Sequence, residues 1–99
     1  MKQTQIERLY RVAPHVLFGA CLTALGQMRA RIERHDVERG TILATVGGPL
    51  GAATELSLRV SVAADQARLV LASQSRGRGD PRAPATLIQL VDGLLTRPA

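Results

Sequence analysis

The chain has 99 residues, of which 45% are hydrophobic, and its formal net charge is +5. This length supports one core, so we expect a single domain over residues 1–99. Because Cys21 is the only cysteine, an intramolecular disulfide is excluded and a reducing, cytoplasmic environment is expected. No apolar run approaches the length that crosses a bilayer, so we expect no membrane association.

The positive charge has two interpretations. A pI near 11.0 favours an anionic partner such as nucleic acid or an acidic protein. However, Lys2 is the only lysine and asparagine is absent, and arginine-rich surfaces of this kind are typical of proteins encoded by GC-rich genomes. The sequence therefore leaves open whether the basic character is functional or compositional.

The first predicted elements are a strand and a helix. Gln3–Val12 predicts strand one, and Arg8 interrupts its apolar face, as is typical of a sheet edge. Pro14 suits the first position of a helix, because the N–H that proline lacks has no partner there. Gly26 is expected to end this helix in a left-handed conformation. The apolar stripe of the helix recurs at three- and four-residue steps and consists of Leu17, Phe18, Cys21, Ala24, Leu25 and Met28.

Two more strands follow, joined by the turn His35–Gly40. Strand two is predicted from the alternation of Met28, Ala30 and Ile32 with Arg29, Arg31 and Glu33. Strand three is predicted from the alternation of Ile42, Ala44 and Val46 with Thr41, Leu43 and Thr45. Gly47–Gly51 predicts a loop, and it lacks the Lys-Ser/Thr pair of a phosphate-binding loop.

The strongest pattern in the chain is the strict alternation from Thr54 to Val62. A period of two places Leu56, Leu58 and Val60 on one face of strand four and Glu55, Ser57 and Arg59 on the other. A short polar break separates this strand from a second run, Ala67–Ser73, so the two predict an antiparallel hairpin. We expect the rest of the chain to cover the apolar face of this hairpin, with Leu58 at the centre of the core.

The chain ends with a polar loop and a second helix. Ser75–Arg82 is rich in arginine and glycine and predicts a mobile connection. Pro84 opens the helix, whose apolar stripe is Leu87, Ile88, Val91, Leu94 and Leu95. The predicted fold is α+β, in the order β-α-β-β-β-β-α. Strands two to five form an antiparallel meander, strand one pairs with strand five, and both helices pack on one face of a five-stranded sheet.

This order of elements resembles the TATA-binding-protein-like fold and a shortened START-like (helix-grip) domain. Residues Arg8–Phe18, in which a strand runs through Ala13-Pro14 into an apolar helix, resemble the opening of START-like proteins. The Leu87–Leu95 helix resembles their C-terminal helix. The resemblance implies a domain that encloses a ligand cavity. Because this chain is shorter than START-like domains, we expect no large cavity and carry over no binding residue.

No residue constellation for chemistry is evident. His15 and His35 lack metal-ligand spacing, and Cys21 lies on the apolar helix face without a charge to stabilise a thiolate. The carboxylates of Glu7, Glu33, Glu55 and Asp92 predict no acid–base pair. We therefore expect no enzyme activity, no metal and no cofactor.

The sheet face opposite the helices is the candidate functional surface. Its predicted members are Leu9, Arg11, Arg29, Arg31, Leu43, Arg59, Arg68 and Val70. Apolar side chains among arginines favour an interaction module that self-associates as a homodimer or binds another protein. A nucleic-acid binder using the same arginines is the first alternative, although the chain has few aromatic residues for base stacking. A small hydrophobic-ligand carrier of the START-like type is the second.

Overall fold

The computed structural model describes residues 3–47, 52–76 and 81–96. The element order is β-α-β-β-β-β-α, as predicted. In chain order the elements are β1 (Gln3–Tyr10), α1 (Pro14–Gln27), β2 (Arg31–Asp36), β3 (Thr41–Gly47), β4 (Ala53–Ala63), β5 (Gln66–Arg76) and α2 (Ala83–Leu95). The predicted loop residues 48–51 and 77–80 lie outside the described residues.

The strands form one five-stranded sheet in the order β1-β5-β4-β3-β2. Every neighbouring pair is antiparallel, and β1 pairs with β5 as predicted. Strands β4 and β5 form the central hairpin through the two-residue turn Ala64-Asp65, in which Ala64 has a φ of 58°. The hairpin is longer than the alternation indicated, because the pairing continues to Ala53 and Arg76 at its open end.

The alternation in β4 decides which face of the sheet is buried. Leu56 and Leu58 are almost completely buried, whereas Glu55, Ser57 and Arg59 are exposed. The inner face is therefore the one that α1 and α2 cover, and it holds the core. The buried apolar residues contributed by the strands are Ile42, Ala44, Leu56, Leu58, Val60, Ala67, Leu69 and Leu71, and those contributed by the helices are Leu17, Phe18, Cys21, Ala24, Leu25, Ala83, Leu87, Ile88 and Val91.

The start of strand two was predicted too early. Helix α1 continues to Gln27, and the backbone N–H groups of Arg29 and Ala30 donate to the carbonyl oxygens of Gly26 and Leu25, both at 3.0 Å. This pair of bonds is the Schellman arrangement that closes a helix, and it needs a left-handed residue after the cap. Arg29 takes that role, with a φ of 59°, so the prediction for Gly26 was wrong.

A close backbone approach joins the β2–β3 turn to β4. Gly40 has a φ of 68°, a left-handed conformation that favours glycine. The N–H of Val60 donates to the carbonyl oxygen of Gly40 at 2.7 Å. A Cβ at position 40 would collide with the carbonyl oxygen of Val60. Glycine is therefore required here both by conformation and by space.

Candidate interaction face

The outer side of the sheet carries the side chains that point away from α1 and α2. The strand register places Leu43, Ser57 and Ala72 side by side on β3, β4 and β5, in what we call the central row. The same strand register identifies the other residues that point to this side of the sheet. We define the open face as the central row together with Glu7, Leu9, Arg31, Arg34, Thr41, Thr45, Glu55, Arg59, Arg68, Val70 and Gln74.

Six of the predicted interface residues lie on this face: Leu9, Arg31, Leu43, Arg59, Arg68 and Val70. Arg29 does not, because it occupies the left-handed turn that ends α1. Arg11 follows the last residue of β1 and lines a small recess of about 360 Å³ beside the β4–β5 turn. The alternating pattern predicted β1 and β2 to be longer than they are. Arg11 and Arg29 were therefore wrongly predicted to lie on the sheet.

The middle of the open face carries half-buried apolar side chains around the exposed Ser57. Leu43, Val70 and Ala72 are of intermediate exposure, although no described helix covers them. Val70 lies opposite Arg59 across the β4–β5 pair. Leu9, on edge strand β1, is more open to solvent, with 53% of its surface exposed. The face thus has an apolar centre among charged and polar side chains, as protein interfaces commonly do.

The surface over β2, β3 and β4 is grooved. One groove of about 560 Å³ has a floor that includes Leu43 and Thr45. A second, of about 680 Å³, continues past Thr41 and Ser57 toward the β2–β3 turn. Both grooves are open to solvent. Both are lined by Glu33, Arg34 and Leu43, together with further side chains. A partner with protruding side chains could therefore be accommodated.

Arg34 was not predicted on this face. Its register partner is Leu43, because the β2–β3 pairing shifts between Ile32 and Arg34. A β-bulge of this kind adds one residue to one strand and reverses the alternation beyond it. No glycine or other signal in Arg31–Asp36 marks the bulge, so the sequence offered no means of finding it.

The charges of the open face are mixed rather than uniformly basic. Arg68 Nε lies 3.3 Å from Glu7 Oε1, and Arg31 Nε lies 3.6 Å from Glu33 Oε1. These pairs are exposed and each contributes little to stability. The four arginines of the open face, Arg31, Arg34, Arg59 and Arg68, are thus accompanied by two glutamates of the face, Glu7 and Glu55, and by Glu33 at the bulge beside it. The excess positive charge of the chain is not concentrated here.

Glu55 and Arg59 are the two charged residues on the central strand. They lie on the same face but four residues apart, which corresponds to about 13 Å along a strand. This separation is too large for the two side chains to form a salt bridge with each other. Neither residue forms a salt bridge in the part of the chain that the structure describes.

Two ionisable groups of the inner side, Cys21 and Tyr10, have raised pKa values. Burial raises the pKa of the Cys21 thiol to about 12, so the thiol stays protonated near neutral pH. Burial, together with the hydrogen bond that Tyr10 Oη donates to Asp92 Oδ1 at 2.8 Å, raises the pKa of Tyr10. This bond fastens α2 to the edge strand β1. Neither group lies on the open face.

Residues suited to metal binding do not converge in the described part of the chain. His15 lies exposed on α1 and His35 exposed on β2. Within residues 3–47, 52–76 and 81–96, no three His, Cys, Asp or Glu side chains are grouped so as to hold a metal ion. None of the described helices is long and apolar enough to cross a membrane.

Comparisons with known proteins define the fold class. No family model matches the chain, and no curated protein matches it in sequence. Among solved structures it is similar to Ara h 8.0201, with a TM-score of 0.66 and 12% identity over 95% of this chain and 97% of that one. It is also similar to the protein TTHA0849 from Thermus thermophilus, with a TM-score of 0.52 and 8% identity over 95% of this chain and 97% of that one.

These similarities support a START-like, helix-grip fold, the fold of the Bet v 1-like protein Ara h 8. They confirm the START-like part of the predicted resemblance. The TATA-binding-protein-like alternative is not confirmed. At such low identity the likeness concerns the fold alone and transfers no binding residue.

Proposed function

We propose that the chain is a non-catalytic interaction module that binds a protein partner through the open face of its sheet. The observation that carries the proposal is the half-buried apolar centre, Leu43, Val70 and Ala72, which no described helix covers. The inner face of the same sheet already has its covering layer. Burying a second apolar surface of this kind is favourable, at about 25 cal/mol per Å² of apolar area removed from water.

The charge pattern favours a protein over a nucleic acid as the partner. A surface for phosphates needs a clear excess of positive charge, whereas here glutamates lie among the arginines and form salt bridges with Arg31 and Arg68. Base stacking needs exposed aromatic rings. The only aromatic residues of the chain are Tyr10 and Phe18, and both belong to the inner side.

The fold similarity supports a second candidate, a carrier of a small hydrophobic ligand, because START-like folds are compatible with ligand binding. An enclosed ligand would need space between the sheet and the helices. In this chain that region holds Leu58, Leu71 and Leu87, each at most 1% exposed. Native mass spectrometry of the purified protein tests this candidate, since a carrier would retain a ligand through purification and an interaction module would not.

Photo-crosslinking tests the proposed function. A photoreactive amino acid placed at Leu43 or Val70 should give a covalent protein adduct in cells, identified by mass spectrometry. The matched control position is Gln89, which is exposed on α2. Equal adducts from Gln89, or none from either face position, would contradict the proposal. A salt-sensitive shift of DNA or RNA that Arg31→Glu abolishes would favour the nucleic-acid alternative instead.

A further inference from the structure

We infer that the partner is a second copy of the chain, packed face to face about a two-fold axis that runs across the strands at the central row. This inference rests on the proposed function and names its partner. It follows from three features of the sheet: the protection of its edges, the area of its open face, and the positions of Glu55 and Arg59.

Both edges of the sheet resist pairing with another strand. Edge strand β2 contains the bulge after Ile32, and its remaining residues are almost all exposed and charged. Edge strand β1 carries Arg8 on the side of the sheet that the helices cover. Bulges and inward-pointing charges are the devices by which proteins prevent edge-to-edge association. A second copy is therefore directed to a face rather than to an edge.

The open face is large enough for a stable dimer. Five strands spaced about 4.8 Å apart are about 24 Å wide, and a paired length of about nine residues extends about 30 Å. The face therefore offers about 700 Å². A standard protein interface buries about 600 to 1,000 Å² from each partner, so the whole face would be used and its area lies in the lower half of that range.

The charges of β4 select the direction of the axis. A two-fold axis along β4 would place Arg59 opposite Arg59 of the second copy and Glu55 opposite Glu55, and like charges in contact oppose association. An axis across the strands at Ser57 reverses the strand direction. Because Glu55 and Arg59 lie two residues on either side of Ser57, this axis places Arg59 of each copy opposite Glu55 of the other.

The rest of the central row is compatible with this axis. Leu43 and Ala72 would meet their own symmetry mates on either side of the Ser57 pair. Arg34, the register partner of Leu43 on edge strand β2, would also face its own symmetry mate, but it is exposed at the margin of the sheet, where solvent screens like charges.

Packed sheets cross at about 30°. Glu55 and Arg59 lie about 7 Å from the axis, so this crossing shifts each of them sideways by about 3.5 Å relative to its partner in the other copy. That displacement is smaller than the spacing between strands, so the Glu55–Arg59 pairs remain opposed.

Charge reversal tests the axis. Sedimentation velocity at several concentrations should show a dimer for the wild type. Arg59→Glu and Glu55→Arg should each weaken the dimer about tenfold or more, because each creates two like-charge pairs. The double variant Arg59→Glu/Glu55→Arg should return the dissociation constant to within about threefold of the wild-type value, because it restores opposite charges. Mixing the two single variants should also restore dimers, as a heterodimer.

Arg29→Glu is the matched control, because it makes the same charge change outside the open face and should leave the dimer unaffected. Single variants that dimerise like the wild type would overturn the inference, as would weakened single variants that neither the double variant nor mixing restores. A wild type that is monomeric at high concentration would also overturn it. If crosslinking from Leu43 nevertheless captures a different protein, the proposed function stands and only the two-fold dimer fails.

Discussion

The two faces of the sheet are formed by the same strands but differ in how far their side chains are covered by the helices. On the inner face, Leu58 and Leu71 pair across β4 and β5 and are covered by helices. On the open face, the neighbouring residues Ser57 and Ala72 pair in the same way, and no described helix covers them. Neighbouring residues along each strand thus point to opposite faces. One face contributes mainly to folding, and the other is available for binding. Substitutions on the two sides should affect different measurements.

Leu58→Ala should produce the largest loss of stability. Leu58 is 1% exposed, so its removal forfeits burial and leaves a cavity. We expect a loss of about 2 to 5 kcal/mol in the free energy of unfolding, measured by urea denaturation. Its open-face neighbour provides the control, because Ser57→Ala should change stability by less than about 0.5 kcal/mol. Equal losses from the two variants would mean that the faces are not distinct.

Gly40→Ala tests the backbone contact between the β2–β3 turn and β4. The left-handed conformation alone should cost about 1 to 3 kcal/mol, and the collision with the Val60 carbonyl adds to that cost. Thermal unfolding should therefore occur at a clearly lower temperature. Gly19→Ala in α1 is the control, since a Cβ there meets no neighbour and alanine favours a helix by about 1 kcal/mol. A stabilised Gly40→Ala variant would refute this account of the turn.

The inner face should also make the protein sensitive to alkaline pH. The pKa of Cys21 rises from an ordinary value of 9.0 to about 12 in the folded chain, and that of Tyr10 rises above its ordinary value of 10.0. The unfolded chain therefore releases these protons at lower pH than the folded chain does. Stability is fully present below about pH 9 and is lost progressively as the pH rises toward about 12.

Urea denaturation between pH 8 and pH 12 would measure this dependence, and Cys21→Ala and Tyr10→Phe should each make it less steep. Arg59→Glu, on the open face, should leave its slope unchanged. A dependence that is equally steep in the Cys21→Ala and Tyr10→Phe variants would show that other groups cause it.

Much of the fold could be predicted from the sequence because the inner face obeys simple periodicities. The two-residue alternation around Leu58 and the helical stripe from Leu17 to Leu25 both place apolar side chains against one core. Short connections then leave few ways to order the strands, and the predicted pairing of β1 with β5 is confirmed.

The open face was harder to predict because no periodicity determines its details. Alternation alone could not show that α1 ends on a left-handed Arg29 or that a bulge brings Arg34 to the surface. The positions of Glu55 and Arg59 on the open face also depend on the strand register. The sequence shows opposite charges on one strand face, but the position of both relative to Leu43 and Ala72 depends on how three strands align.

The double variant Leu43→Glu/Val70→Glu should have only a small effect on stability. Neither residue faces the helices, so the free energy of unfolding should change by less than about 1 kcal/mol. Light scattering should nevertheless show that any dimer is lost, because four carboxylates would be buried without partners in each dimer. Val37→Glu/Val62→Glu is the matched control: these valines are 62% and 68% exposed and lie outside the open face. Unfolding of the first variant would mean that Leu43 and Val70 belong to the core, whereas equal dissociation in both would mean that added charge, and not the open face, governs association.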